Sequence, residues 1–122
     1  MKLKVFQMSK VISIHEYILK PGVSERQFES AILGAKKRGL LNLTGLVDHY
    51  LVKGIRGSRN GLYAAVWIYE SKEAWENLWG PIDEPISKAD YPENWKSWEN
   101  EVLLPFLDQD PDNINFTSYR EL

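Results

Sequence analysis

The octapeptide Leu62-Tyr63-Ala64-Ala65-Val66-Trp67-Ile68-Tyr69 decides how the chain is read. Leu62, Ala64, Val66 and Ile68 are aliphatic, while Tyr63, Trp67 and Tyr69, with Ala65 among them, make an aromatic set. Alternation with a period of two is the mark of a β-strand with two chemically different faces. The aliphatic set suits packing beneath helices. The aromatic set, with its polar handles, is assigned to a face that the protomer leaves open. Upstream, Leu46 to Ile55 reads as the partner strand, joined through Arg56-Gly57-Ser58-Arg59-Asn60-Gly61 as a hairpin with a longer loop. Its parity stays undecided between Leu46, Asp48, Tyr50 and Val52 on one side and Val47, His49, Leu51 and Lys53 on the other. Downstream, Ser71 caps a helix carrying Ala74, Trp75, Leu78 and Trp79, which Gly80-Pro81 ends.

Toward the N-terminus, Val11 to Leu19 is a β-branched run stopped by Lys20-Pro21-Gly22. Ser24-Glu25-Arg26-Gln27 fits a capping box, with Val23 and Phe28 placed as a hydrophobic staple. Phe28, Ala31, Ile32 and Ala35 then mark one buried helical face, and Gly39 closes the helix after Lys36-Lys37-Arg38. Toward the C-terminus, Pro81 to Tyr91 reads as an irregular excursion. A further helix starts near Pro92, carries Trp95, Trp98 and Val102, and should break around Pro105. An acidic loop, Asp108 to Asn113, precedes a last strand from Ile114 to Tyr119.

The order is β-α-β-β-α-β with an extra helix before the last strand. The expected class is α+β, ferredoxin-like, with an antiparallel four-stranded sheet in one domain spanning residues 1–122. Parity in the first strand puts Ile12, Ile14 and Ile18 under the helices and Val11, Ser13, His15, Tyr17 and Leu19 on the open face. An aromatic-rich patch of order 400 Å² calls for cover. A second copy of the sheet supplies it through a twofold interface, so the chain is expected to be a homodimer, with a cavity between the sheets.

Composition narrows the function classes. The chain has 122 residues, 43% hydrophobic and 26% charged, with 15 basic against 17 acidic residues and no cysteine. Such a balance gives no field for polyanions, so no nucleic acid is expected as partner. The absence of cysteine excludes disulfides, thiolate metal sites and a cysteine nucleophile. Residues 1–14 alternate Lys with apolar side chains and are read as neither signal peptide nor membrane span, so no membrane is expected and the expected address is cytoplasmic.

With these elements in place, the chain resembles the dimeric α/β-barrel superfamily, of antibiotic-biosynthesis monooxygenase and stress-responsive barrel type. The likeness spans Val11 to Leu122. It rests on a strand running into Lys20-Pro21-Gly22 and a helix with Phe28, and on Trp67 and Tyr69 running into Glu70-Ser71-Lys72-Glu73-Ala74-Trp75. The resemblance implies a dimeric barrel and oxygenation, isomerisation or cyclisation of an aromatic or polyketide-like small molecule without a cofactor. A non-catalytic binding or stress-responsive dimer is the alternative. It also implies that His15 stands where relatives carry a polar catalytic side chain, and that Tyr69 lies where several carry an aromatic. Haem-degrading relatives ligate iron through a His after the third strand. Here His15 and His49 are the only histidines.

His15 is the candidate acid or base, since an imidazole exchanges protons near neutrality. Its bland alternative is a hydrogen bond at the dimer seam. Tyr17 and Tyr69 are candidate donors. Tyr63 and Trp67 are a candidate wall for a planar ligand or, equally, dimer core. Ser13 and His49 complete the binding set, although Asp48 and His49 must point to opposite faces. Trp75, Trp79, Trp95 and Trp98 are read as helix-to-sheet packing. Lys53, Arg56 and Arg59 among glycines match no phosphate-binding motif and read as a solvated hairpin tip. No metal is expected: the acidic loop lacks the glycine and terminal carboxylate of a calcium loop.

Overall fold

The computed structural model describes residues 9–122; the first eight residues of the expected N-terminal reading lie outside them. Four strands, β1 (Val11–Tyr17), β2 (Leu46–Lys53), β3 (Tyr63–Tyr69) and β4 (Asn115–Arg120), form one sheet in the order β2-β3-β1-β4. Every adjacent pair is antiparallel. The helices α1 (Glu25–Lys37), α2 (Lys72–Trp79) and α3 (Glu93–Trp98) complete the ferredoxin-like α+β arrangement, with α3 as the extra helix. Both expected caps form: Ser24 accepts from the Gln27 amide at 3.2 Å and Ser71 from the Ala74 amide at 3.0 Å. Each satisfies one of the donors a helix start leaves free.

The two faces of the sheet are the reverse of the expected assignment. Tyr17, Tyr63, Ala65, Trp67 and Tyr69 are buried beneath the helices, together with Val11 and Ser13. Ile12, Ile14, Ala64, Val66 and Ile68 lie on the other face and are only partly covered by their neighbours. The reason is volume. Trp67 sits 5.2 Å from Trp95 and 5.8 Å from Trp98, ring centre to ring centre, and Phe28 meets Tyr63 at 5.1 Å. These rings fill the layer between sheet and helices, which short aliphatic chains would leave hollow. The register also settles β2: His49, Leu51 and Lys53 pair with Trp67, Ala65 and Tyr63 on the helical side, across a bulge between Leu46 and Asp48.

The last helical stretch stops beside Pro105, as expected, with Leu107 already extended. From α3 the chain continues through a π turn, Glu99–Leu103, into a final α turn, Leu104–Phe106. A proline lacks the amide hydrogen and crowds the carbonyl four residues back, and the wider turn just upstream absorbs both defects. That π turn places Glu99, Val102 and Leu103 in the interior. The hairpin between β2 and β3 folds back on itself, and Arg59 donates to the carbonyls of Tyr63 at 2.7 Å and Tyr17 at 3.4 Å. Its guanidinium is thus engaged by backbone, and Lys53 is engaged by Glu25 at 2.7 Å.

Candidate functional site

Beside this core, the β1–β4 half of the sheet is not fully filled. A cleft of about 800 Å³ opens between these strands and the α2–α3 region. Its floor is Ser13 and His15 of β1 with Phe116 and Ser118 of β4. Register explains the grouping, because His15 pairs with Phe116 and Ser13 with Ser118, and cross-strand partners share a face. Tyr69 ends β3 at one side, and Trp75, Trp79, Tyr91 and Trp95 form the aromatic roof. Gly80 sits at φ 86°, and a Cβ there would approach the Glu84 carbonyl oxygen to 2.5 Å. Only glycine can turn the chain there and lay Pro81 to Ile86 along the cleft.

His15 is held among rings: Trp67 at 6.0 Å, Trp95 at 5.9 Å and Phe116 at 5.7 Å between centroids, all edge-on. Its Nδ1 is buried without a hydrogen-bond partner among the described residues. Burial holds the imidazole well below its ordinary range, at about 4, so it is neutral at pH 7. Tyr69 is buried and its hydroxyl accepts from Trp79 Nε1 at 3.1 Å. Burial pushes its phenol upward. The hydroxyls of Ser13 and Ser118 are 2.7 Å apart and satisfy each other.

Glu99 is the residue that the sequence reading missed. It is 6% exposed, lines the cleft, and follows Trp95 by four residues on the π turn. Burial raises its carboxyl above the usual range; Lys88 opposes this and Asp112 and Asp110 reinforce it. Lys88 itself is paired with Asp112 at 2.8 Å. The available signal was the stripe Trp95, Glu99, Leu103, an apolar helical face interrupted by one carboxylate.

The expected site residues therefore divide. Ser13, His15 and Tyr69 line the cleft, with Trp67 directly behind His15. Tyr17 is wholly buried, and its hydroxyl lacks a partner of normal geometry. Tyr63 packs on Phe28 and donates to Glu29. His49 lies at 6.1 Å from the far side of Trp67 and is absent from the cleft wall. Asp48 accepts from the His49 amide and the Tyr50 hydroxyl, both at 2.8 Å, and does not work with the imidazole. Trp75, Trp79 and Trp95, read as packing, line the cleft; Trp98 is core. Because His15 and Tyr69 face the helices, the cleft belongs to one protomer, not to a chamber between two sheets. No helix among the described residues is long and apolar enough to cross a membrane.

No family model matches the sequence, and no curated protein matches it. Solved structures do. A DABB family protein with a ferredoxin-like fold from Mesorhizobium loti superposes with a TM-score of 0.62 at 11% identity, covering 93% of this chain and 98% of that one. A dimeric ferredoxin-like protein of unknown function from Thermobifida fusca gives 0.59 at 12% identity, covering 93% and 92%. SnoaB, a cofactor-independent oxygenase from Streptomyces nogalater, gives 0.57 at 10% identity, covering 91% of each chain. At such identities the likeness is one of fold, and the fold that this chain shares with them is ferredoxin-like.

Proposed function

We propose that the cleft binds a planar aromatic or polyketide-like molecule and that His15 takes a proton from it, with no cofactor required. The observation that carries this reading is an imidazole set in the wall of an aromatic cleft and kept neutral by burial. The cleft volume falls within the roughly 300–1,000 Å³ of small-molecule sites. With Nδ1 sealed in the protein, Nε2 is the nitrogen left for the ligand. A base held so low accepts a hydrogen bond more readily than a full proton. The substrate hydroxyl must therefore be far more acidic than an ordinary phenol, as the vinylogous acid of a 2-hydroxyquinone is. Its anion is electron-rich, which serves oxygenation, isomerisation and cyclisation alike, and the stacked rings supply orientation. The likeness to SnoaB, a cofactor-independent oxygenase, favours oxygenation.

The assembly is part of the proposal. The open face carries Ile12, Ile14, Val66 and Ile68, flanked by exposed Tyr50, Val52 and Tyr119. A second copy packed sheet to sheet covers this aliphatic surface, in keeping with the dimeric Thermobifida fusca structure. Its contact is aliphatic, not aromatic as the sequence reading had it.

Calorimetric titration with hydroxylated naphthoquinones, followed by product analysis, tests the site. His15→Gln should bind within about threefold of the parent and lose turnover by at least about a hundredfold. Undiminished turnover in that variant contradicts the role given to His15. The second reading, sequestration without chemistry, draws on the internal pairing of Ser13 with Ser118 and Tyr69 with Trp79, which leaves few polar groups to the ligand. Tight binding with no turnover in either protein selects it.

A further inference from the structure

Glu99 has no role in the reading above, yet it is the most conspicuous buried charge-bearing group of the cleft. It lines the cleft, and among the described residues Trp95 donates toward its carboxyl through the indole N–H. It stands one helical turn from Trp95, whose ring also meets His15 at 5.9 Å. Two groups capable of proton exchange therefore flank a single indole, one from β1 and one from the π turn.

We infer that Glu99 is a ligand-binding residue of the cleft: its carboxyl donates a hydrogen bond to a carbonyl oxygen of a planar ligand whose hydroxyl end meets His15. This deepens the proposed function and rests on it. It favours a hydroxylated ketone or quinone over a ring system bearing only hydroxyls, because a carbonyl oxygen accepts more strongly than a phenolic one. Three observations support the neutral, donating form. The group is withdrawn from water, which disfavours its anion. The nearest cation, Lys88, is already engaged by Asp112. Asp112 and Asp110 disfavour the anion further, and the Trp95 indole N–H, which donates toward the carboxyl, only partly opposes them. A carboxylic acid in such surroundings is a strong donor to a carbonyl, and a site built around a donor rejects an analogue that cannot accept.

The test compares juglone with naphthol, planar probes that share a phenol but differ in the quinone oxygens, by calorimetry on the full chain. The parent protein should prefer juglone by roughly fivefold. Glu99→Gln keeps an N–H donor and should keep the preference, whereas Glu99→Leu should bind both probes equally. Raising the pH through the ionisation of the carboxyl should erode the preference in the parent protein and leave Glu99→Gln flat. Equal binding of the two probes by the parent protein, or a preference that survives in Glu99→Leu, overturns the assignment of Glu99 while leaving the cleft reading intact. Binding of neither probe overturns both. Circular dichroism of Glu99→Gln and Glu99→Leu checks that each variant is folded.

Discussion

The two faces of one sheet carry nearly equal numbers of apolar residues and have opposite destinies. On the helical face, Tyr17, Trp67 and Tyr69 are almost completely withdrawn from solvent. On the other, Ile12, Ile14, Val66 and Ile68 stay half-covered and present a smooth aliphatic surface. Hydrophobicity does not separate the two sets; volume and polar handles do. Helices stand off a sheet far enough to need rings, and they bring partners for polar tips, as Trp79 does for the Tyr69 hydroxyl. A second sheet approaches as a flat layer and needs only branched aliphatics.

The comparison can be broken most severely at Trp67. Truncation to Ala on the helical face should cost about 3–5 kcal/mol, read as a fall in urea midpoint at constant slope. A cost below about 1 kcal/mol would mean that the rings are not the packing element claimed here. The two histidines give a subtler contrast. His15, pushed to about 4 by burial, stays neutral in the folded chain while the unfolded chain takes up its proton near pH 6.5. Stability is therefore unaffected above that range and is lost as pH falls toward 4. The parent protein should lose about 3 kcal/mol more than His15→Gln over that interval. His49, half-buried on the opposite side of Trp67, is shifted the same way by burial and Lys36 but is held up by Asp48, so His49→Gln should show a smaller difference. Equal differences for the two variants would remove the distinction between them.

Strand and helix order were legible because periodicity and caps are local: Ser24, Ser71 and Gly80 act within a few residues of themselves. The choice of inner face was not, since parity sorts side chains into sets without saying which set meets the helices. His15 and Tyr69, candidates by their chemistry, lie in the cleft beneath the helices and not between two sheets, because their location follows from that choice. Glu99 escaped because the π turn that turns it inward answers to Pro105, six residues on, and proline there had been read only as a stop. The aromatic roof was likewise visible in Trp75, Trp79 and Trp95, but packing and lining differ only by a void, which no spacing records.

The central claim, that the ligand cleft lies within a protomer, is tested most directly by separating binding from assembly. Val66→Asp places a charge in the middle of the open face, where a second sheet would have to bury it. Sedimentation should then find a single subunit where the parent protein gives the proposed dimer, and calorimetry should find juglone affinity within about threefold of the parent protein. Loss of binding in step with loss of the dimer, in a variant that remains folded, would put the ligand between two copies and contradict the account.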